Sequence, residues 1–228
     1  MLKIIRKDIG AKILVATPLF TGHKISKETE QSIKRNTVPI IWASYEGPDK
    51  HAANVQHLLN EYKKQFGNFP PYIQVLDRDI IAGRYMLDRL YDVLERSRFQ
   101  SDKKFGYAYA SFEYRGYINA QFPARVFDIN MLMKSNYISS NSLYCSEVVE
   151  EVGGFVTEED THRLSDWAFF LKLFQHGYHG IPSINASFVA ISSKDDISAG
   201  SQEEYQRTYK IIQERYVKPI VMKCNIIH

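Results

Sequence analysis

Over its first hundred residues the chain alternates short apolar runs with amphipathic stretches, and this alternation limits the fold more than any other feature. "KILVATPLF" (Lys12–Phe20), "VPIIWASY" (Val38–Tyr45) and Tyr72–Leu76 read as strands, the first apolar enough at its start to be covered on both faces. Between them, Ser26 can cap a helix through "KETEQSIKRN", with Glu28 and Glu30 in its first turn. Asp49–Phe66 repeats Val55, Leu58, Leu59, Tyr62 and Phe66 at helical spacing, and Gly67 stops it. Met86, Leu87, Leu90, Tyr91 and Leu94 mark one face of a third helix. Strand–helix repeats of this kind predict an α/β fold, a mostly parallel central sheet with right-handed crossovers and flanking helices.

In such sheets ligands bind beyond the carboxyl ends of the strands. Three loops reach that edge here: "TPLFTG", "SYEGPD" and "LDRD". The last sets Asp77 and Asp79 one residue apart, where their charges repel. Either the pair is a solvated turn with Asp79 as a helix cap, or a cation sits between the carboxylates. Mg²⁺ and Mn²⁺ favour oxygen ligands and bind through one or two carboxylates plus phosphate oxygens.

The second half has a different texture. "KFGYAYASFEY" (Lys104–Tyr114) and "ARVFDINMLM" (Ala124–Met133) read as strands joined by the loop "RGYINAQFP". "SEVVEEV" is a short helix stopped by Gly153 and Gly154, and Trp167, Phe170, Leu171 and Phe174 define an amphipathic helix ending near Gly177. Ser201–Tyr216 is a last helix, and the apolar tail "VKPIVMKCNIIH" could pack on the body, on a second copy as a homodimer contact, or on a membrane surface. No repeat or linker divides the chain. Residues 1–216 are expected as one unit, a nucleotide-binding half over about 12–103 and an acceptor half over about 104–200, followed by the tail 217–228.

Bulk properties remove other classes. A formal charge of +3, with Lys and Arg spread along the chain, gives no basic stripe for nucleic acid. Two cysteines without metal-ligand spacing argue against a disulfide framework or a zinc site and fit a reducing compartment. No apolar run approaches the roughly 18–20 residues that cross a bilayer, and the first residues are too short in apolar run for a secretory signal. A cytoplasmic protein, peripheral to a membrane if the tail binds one, is the expectation. Fifteen tyrosines and thirteen phenylalanines are a large aromatic surface, most of it expected in the core, though exposed aromatic faces also suit sugars and bases.

The order "TPLF…SIKRNTVPIIWASYEG", "LDRD", "NSLYCSEVVEEVGGF" and "RLSDWAFFLKLFQHGYHG" resembles the family 2 glycosyltransferases of GT-A (Rossmann-like) fold over roughly residues 12–180. The resemblance implies an inverting, metal-dependent transfer of a sugar from a nucleotide-sugar, a UDP-sugar favoured, to a glycan, lipid or protein acceptor. By that resemblance Asp79 ligates Mn²⁺ or Mg²⁺, Asp77 approaches the metal's shell or the ribose, and Asp166 is the base that takes the acceptor's proton. Thr17 and Pro18 would border the nucleotide, and Glu46 stands where the family has a base- or ribose-contacting aspartate. The chain departs from the pattern at "SYEGPD", where Glu46 or Asp49 substitutes. It also departs downstream, where "ISSKDDIS" replaces a basic or histidine-bearing segment and leaves Lys194 as the phosphate contact. His179 and Arg163 are sequence neighbours of Asp166. A nucleotidyltransferase would need a glycine-rich phosphate loop near the first strand, which "TPLFTGHK" does not supply. A degenerate GT-A domain that binds a nucleotide or glycan without turnover is the remaining alternative.

Overall fold

The computed structural model describes residues 1–48, 50–100, 102–193 and 201–225. The predicted parallel core is present: β2 (Ile13–Phe20) lies between β3 (Ile40–Gly47) and β4 (Tyr72–Val75), parallel to both. Seven of the eight residues of β2 are buried, because α1 (Lys27–Ile33) and α2 (His51–Phe66) belong to crossovers that cover a strand with neighbours on each side. The Ser26 hydroxyl accepts the Thr29 N–H at 3.0 Å, so the first helix starts where its cap predicts. Val55, Leu58, Leu59 and Tyr62 face the core from α2, and Gly67 ends that helix with φ +82°.

Among the described residues one nine-stranded sheet runs in the order β1 (Leu2–Lys7), β3, β2, β4, β8 (Leu143–Cys145), β6 (Phe105–Gly116), β9 (His179–Ser192) and β5 (Ile80–Ala82), with β7 (Ala120–Phe122) paired to β6. Its three parallel ladders pair more residues than the five antiparallel ones together. The edge strand β1 (Leu2–Lys7) is antiparallel to β3 and alternates half-buried with exposed residues, as a strand with one solvated face must. Beyond β4 come β8 (Leu143–Cys145), β6 (Phe105–Gly116) and β9 (His179–Ser192). The last position is taken by β5 (Ile80–Ala82), which four residues separate from the end of β4. Strands from the first half of the chain thus flank those of the second.

Helix α3 (Met86–Gln100) buries Met86, Leu87, Leu90 and Leu94 as its spacing predicts. The predicted strand over Ala124–Met133 is not formed. Asp128 caps a short helix instead, α4 (Ile129–Lys134), its carboxylate accepting the N–H groups of Asn130 at 2.8 Å and Met131 at 3.3 Å. The loop expected at "RGYINAQFP" contains β7 (Ala120–Phe122), folded back on β6 with Phe122 stacked on Phe112 at 4.6 Å.

After α5 (Ser146–Glu151) and a 3-10 turn (Glu159–Leu164) comes α6 (Ser165–Gln175), apolar nearly all round and buried. Phe170 of α6 packs on Tyr107 of β6 at 5.1 Å, and the Trp167 indole donates to the Leu132 carbonyl of α4 at 2.6 Å. The last helix does not end at Tyr216. From α7 (Gln202–Ile212) it continues through a π turn (Gln213–Val217) into α8 (Lys218–Asn225), where Val217 and Ile220 are buried while Val221 and Met222 are exposed. Among the described residues no helix is long and apolar enough to cross a membrane.

Candidate active site

Strands β2, β3 and β4 run parallel, so their carboxyl ends lie along one edge of the sheet, and the "LDRD" turn follows β4 there. The turn closes through the Ile80 N–H on the Asp77 carbonyl at 3.3 Å and passes directly into β5. Three other elements brace it. From α1, the Ser26 N–H and the Thr29 hydroxyl both donate to the Arg78 carbonyl at 2.9 Å. From the first turn of α2, His51 Nε2 meets Asp77 Oδ1 at 2.5 Å. From the segment before β8, Asn141 Nδ2 donates to Asp77 Oδ2 at 2.8 Å, and Asn141 Oδ1 accepts the Asp77 N–H at 2.8 Å. Asp79 is partly exposed, and its carbonyl accepts the Ile191 N–H of β9 at 3.2 Å.

Asp166 lies in the first turn of α6. Its Oδ1 accepts the Trp167 N–H at 2.8 Å and its Oδ2 accepts Asn136 Nδ2 at 2.9 Å. Asp166 and His51 share the lining of a small recess of about 20 Å³, enough for one water, with Ser140, Ser165 and apolar side chains of α2, β4, β8 and α6. The electrostatics divide the two carboxylates. Burial pushes the Asp166 carboxyl up, and the Trp167 N–H, His51 and Asn136 only partly offset it, so it stays above the ordinary carboxylate value. Burial also pushes Asp77 up, but the charge and hydrogen bond of His51 and the Asn141 amide outweigh this and hold it below. His51 is pushed down by burial and raised more strongly by Asp77, Asp166 and Asp79, with a net rise. One carboxylate is therefore fixed as an anion beside an imidazole, and the other is the more basic.

The remaining predicted residues take varied places. Thr17 is fully buried and its hydroxyl accepts the Trp42 indole N–H at 3.0 Å, so its side chain supports the wall of β2 and β3. Pro18 is buried at the same end, in register with Tyr45. Glu46 is exposed at the end of β3, where its carboxylate accepts the Gly22 N–H at 2.8 Å and holds the loop after β2. Asp49 and Lys194 lie outside the described residues. Arg163 bonds the Ser201 carbonyl and lies 3.7 Å from Glu204, ahead of α7 rather than across from Asp166. His179 packs edge-on against Phe127 and Phe174 at the far end of α6, not beside Asp166.

Sequence reasoning missed His51, Asn136 and Asn141. Each is a single polar residue with no periodic signal, although Asn141 opens the quoted run "NSLYCSEVV" and His51 begins a predicted helix.

Among the described residues no three His, Cys, Asp or Glu side chains gather as a ready-made metal cage. The donor set still fits a hard cation of the kind that keeps most of its shell from waters and substrate phosphates, which needs only one or two carboxylates. Both Asp77 oxygens are engaged by His51 and Asn141, and Asp79 is the other carboxylate of the turn.

No protein-family model and no curated protein matches the chain. Solved structures do. The 1–349 fragment of TarS from S. aureus, in complex with UDP-GlcNAc, aligns with a TM-score of 0.61 at 12% identity, over 88% of this chain and 65% of that one. A longer S. aureus TarS structure aligns with a TM-score of 0.56 at 10% identity, over 88% of this chain and 39% of that one. The catalytic domain of Drosophila β1,4-galactosyltransferase 7, in complex with xylobiose, aligns with a TM-score of 0.54 at 14% identity, over 87% and 79%. The chain thus spans less than two thirds of either TarS structure. At such identities the likeness shows the fold, and that fold is GT-A, the α/β architecture expected from the sequence.

Proposed function

We propose that this chain is a glycosyltransferase that moves a sugar from a nucleotide-sugar donor, a UDP-sugar by preference, onto an acceptor hydroxyl with inversion. The observation that carries the reading is the place of His51, which is bonded to Asp77 of the turn, shares a recess with the helix-borne Asp166, and feels the charges of Asp77, Asp166 and Asp79 from distant parts of the chain. The complexes of TarS with UDP-GlcNAc and with UDP favour a uridine nucleotide by analogy of fold.

In this reading the donor lies across the carboxyl ends of β2, β3 and β4, with Pro18 and Glu46 at the nucleoside end and Lys194 as a phosphate contact. Asp79 would hold Mn²⁺ or Mg²⁺ against the diphosphate, and the ion, when bound, would neutralise the charge that grows on the leaving group. Asp166 takes the proton of the acceptor hydroxyl as that oxygen attacks the anomeric carbon from the face opposite the diphosphate. Burial keeps Asp166 more basic than a solvated carboxylate, while the Trp167 N–H and Asn136 orient it.

The test is calorimetric binding of nucleotide diphosphates with Mn²⁺, with Mg²⁺ and with chelator, followed by transfer from the matching sugar nucleotide. Asp79→Ala should abolish metal-dependent binding. Asp166→Asn should bind the donor as wild type does and lose about 10²–10⁴-fold in transfer. A wild-type protein that binds no nucleotide under any of these conditions refutes the reading and leaves a non-catalytic GT-A domain.

A further inference from the structure

Building on the glycosyltransferase reading, we propose that Asp77 is a positioning residue and not a metal ligand. In this view His51 and Asn141 clamp it from opposite sides, so that the turn presents Asp79 to the donor. Three observations support the assignment.

First, both carboxylate oxygens of Asp77 are engaged. Oδ1 meets His51 at 2.5 Å, Oδ2 accepts from Asn141 at 2.8 Å, and the Asp77 N–H donates back to Asn141 at 2.8 Å. An ionised carboxylate offers about four lone-pair positions, and these two contacts take one on each oxygen. A cation at Asp77 would have to share an oxygen with one of these partners.

Second, the clamp is built from rigid pieces. Asn141 is 3% exposed and is itself fixed by Ser139, whose hydroxyl accepts both its N–H at 3.2 Å and its side-chain amide at 3.3 Å. His51 belongs to the first turn of a sixteen-residue helix whose apolar face is buried in the core. A solvated turn needs no such bracing.

Third, the two jaws come from different parts of the chain, α2 and the approach to β8, and His51 also lines the recess it shares with Asp166. Supporting groups of this kind commonly change metal affinity or activity about 10–100-fold when removed, without being ligands.

Two measurements test this. The first needs no donor: urea unfolding of His51→Ala, Asn141→Ala, Asp77→Ala and the two doubles that contain Asp77→Ala. The clamp requires non-additive effects, because removing either jaw after Asp77 is gone should cost little more. Additive effects would overturn it. The second is Mn²⁺ affinity in the presence of UDP, read from the electron paramagnetic resonance signal of free Mn²⁺. Asp79→Ala should abolish UDP-dependent Mn²⁺ binding. Asp77→Ala, His51→Ala and Asn141→Ala should each retain it, weakened about 10–100-fold, and His51→Gln, which keeps a donor near the same place, should recover most of the loss.

Loss of Mn²⁺ binding in Asp77→Ala as complete as in Asp79→Ala would make Asp77 a ligand and refute the proposal. Wild-type affinity in both jaw variants would refute it equally. If the wild type binds neither UDP nor Mn²⁺, the glycosyltransferase reading falls and Asp79 presents nothing, while the unfolding cycles still decide whether Asp77 is clamped.

Discussion

Asn136 gives the sharpest test of how Asp166 is held. Its Nδ2 donates to Asp166 Oδ2 at 2.9 Å, and its Oδ1 accepts the Ile138 N–H at 3.2 Å. Asn136→Ala removes both bonds, but only the first depends on the charge of Asp166. A hydrogen bond to an ionised group is worth about 1.5–3 kcal/mol net and one between neutral groups about 0.5–1.5 kcal/mol. Because Asn136 is half-buried, water recovers part of either, so the lower ends apply.

The sign follows from the raised carboxyl. A folded-state value above the ordinary 3.8 means that ionised Asp166 burdens the fold. Its stability contribution is full below the unfolded value and is lost as pH rises through the folded one. Removing Asn136 leaves the anion with one partner fewer and raises the carboxyl further. The cost of Asn136→Ala should therefore grow by about 1 kcal/mol as the pH rises from near 4 to 8. Urea unfolding of both proteins at a series of pH values measures it. With a slope near 2–3 kcal/mol/M, that growth widens the gap between midpoints by roughly 0.3–0.5 M. In a transfer assay the acidic limb of kcat/KM should move to higher pH, with activity regained on the alkaline side. A stability difference that is flat with pH, or largest in acid, would refute the claim that Asn136 supports an ionised Asp166.

Two further outcomes concern the frame around the site. Trp167→Phe should destabilise the fold by about 2–4 kcal/mol in urea unfolding, because it strands the Leu132 carbonyl in the core and removes part of the contact with Tyr209. A cost under 1 kcal/mol would mean that α4 is not tied to α6 through the indole. Tyr107→Phe should do the reverse and stabilise by about 1 kcal/mol: the buried Tyr107 hydroxyl finds no hydrogen-bond partner among the described residues, and its removal relieves that penalty. A loss of more than 1 kcal/mol in the same measurement would show that the hydroxyl has a partner in solution.

What could be read from the chain alone divides along physical lines. Strands β2, β3 and β4 were legible because burial on both faces leaves an unbroken apolar run, and the helices between them because their buried faces repeat every three to four residues. Asp79 and Asp166 stood out because the order of elements around them carries a resemblance. Strands β5 and β9 were not legible, since Ile80–Ala82 becomes a strand only by pairing with Phe188–Ala190, more than a hundred residues away. The apolar content of Ala124–Met133 points to a strand, but the Asp128 carboxylate satisfies two N–H groups and starts a helix there. His51, Asn136 and Asn141 are placed by tertiary contacts alone.

The placement of β5 at the far edge of the sheet has a consequence for how the protein is made. When residue 103 has left the ribosome, β4 has one neighbour and β5 has none. Their partners, β8 and β9, are finished only at Cys145 and Ser192. At about 5–20 residues per second, the open edge of β4 waits roughly 2–8 seconds and that of β5 roughly 5–20 seconds for the chain that closes them. During that interval the nascent chain displays unpaired, apolar strands of the kind that recruit other strands. Chaperone dependence and yield in the cell should therefore respond to the speed at which codons between 104 and 192 are read, and substitutions in β9 should reduce soluble protein even where the finished fold tolerates them.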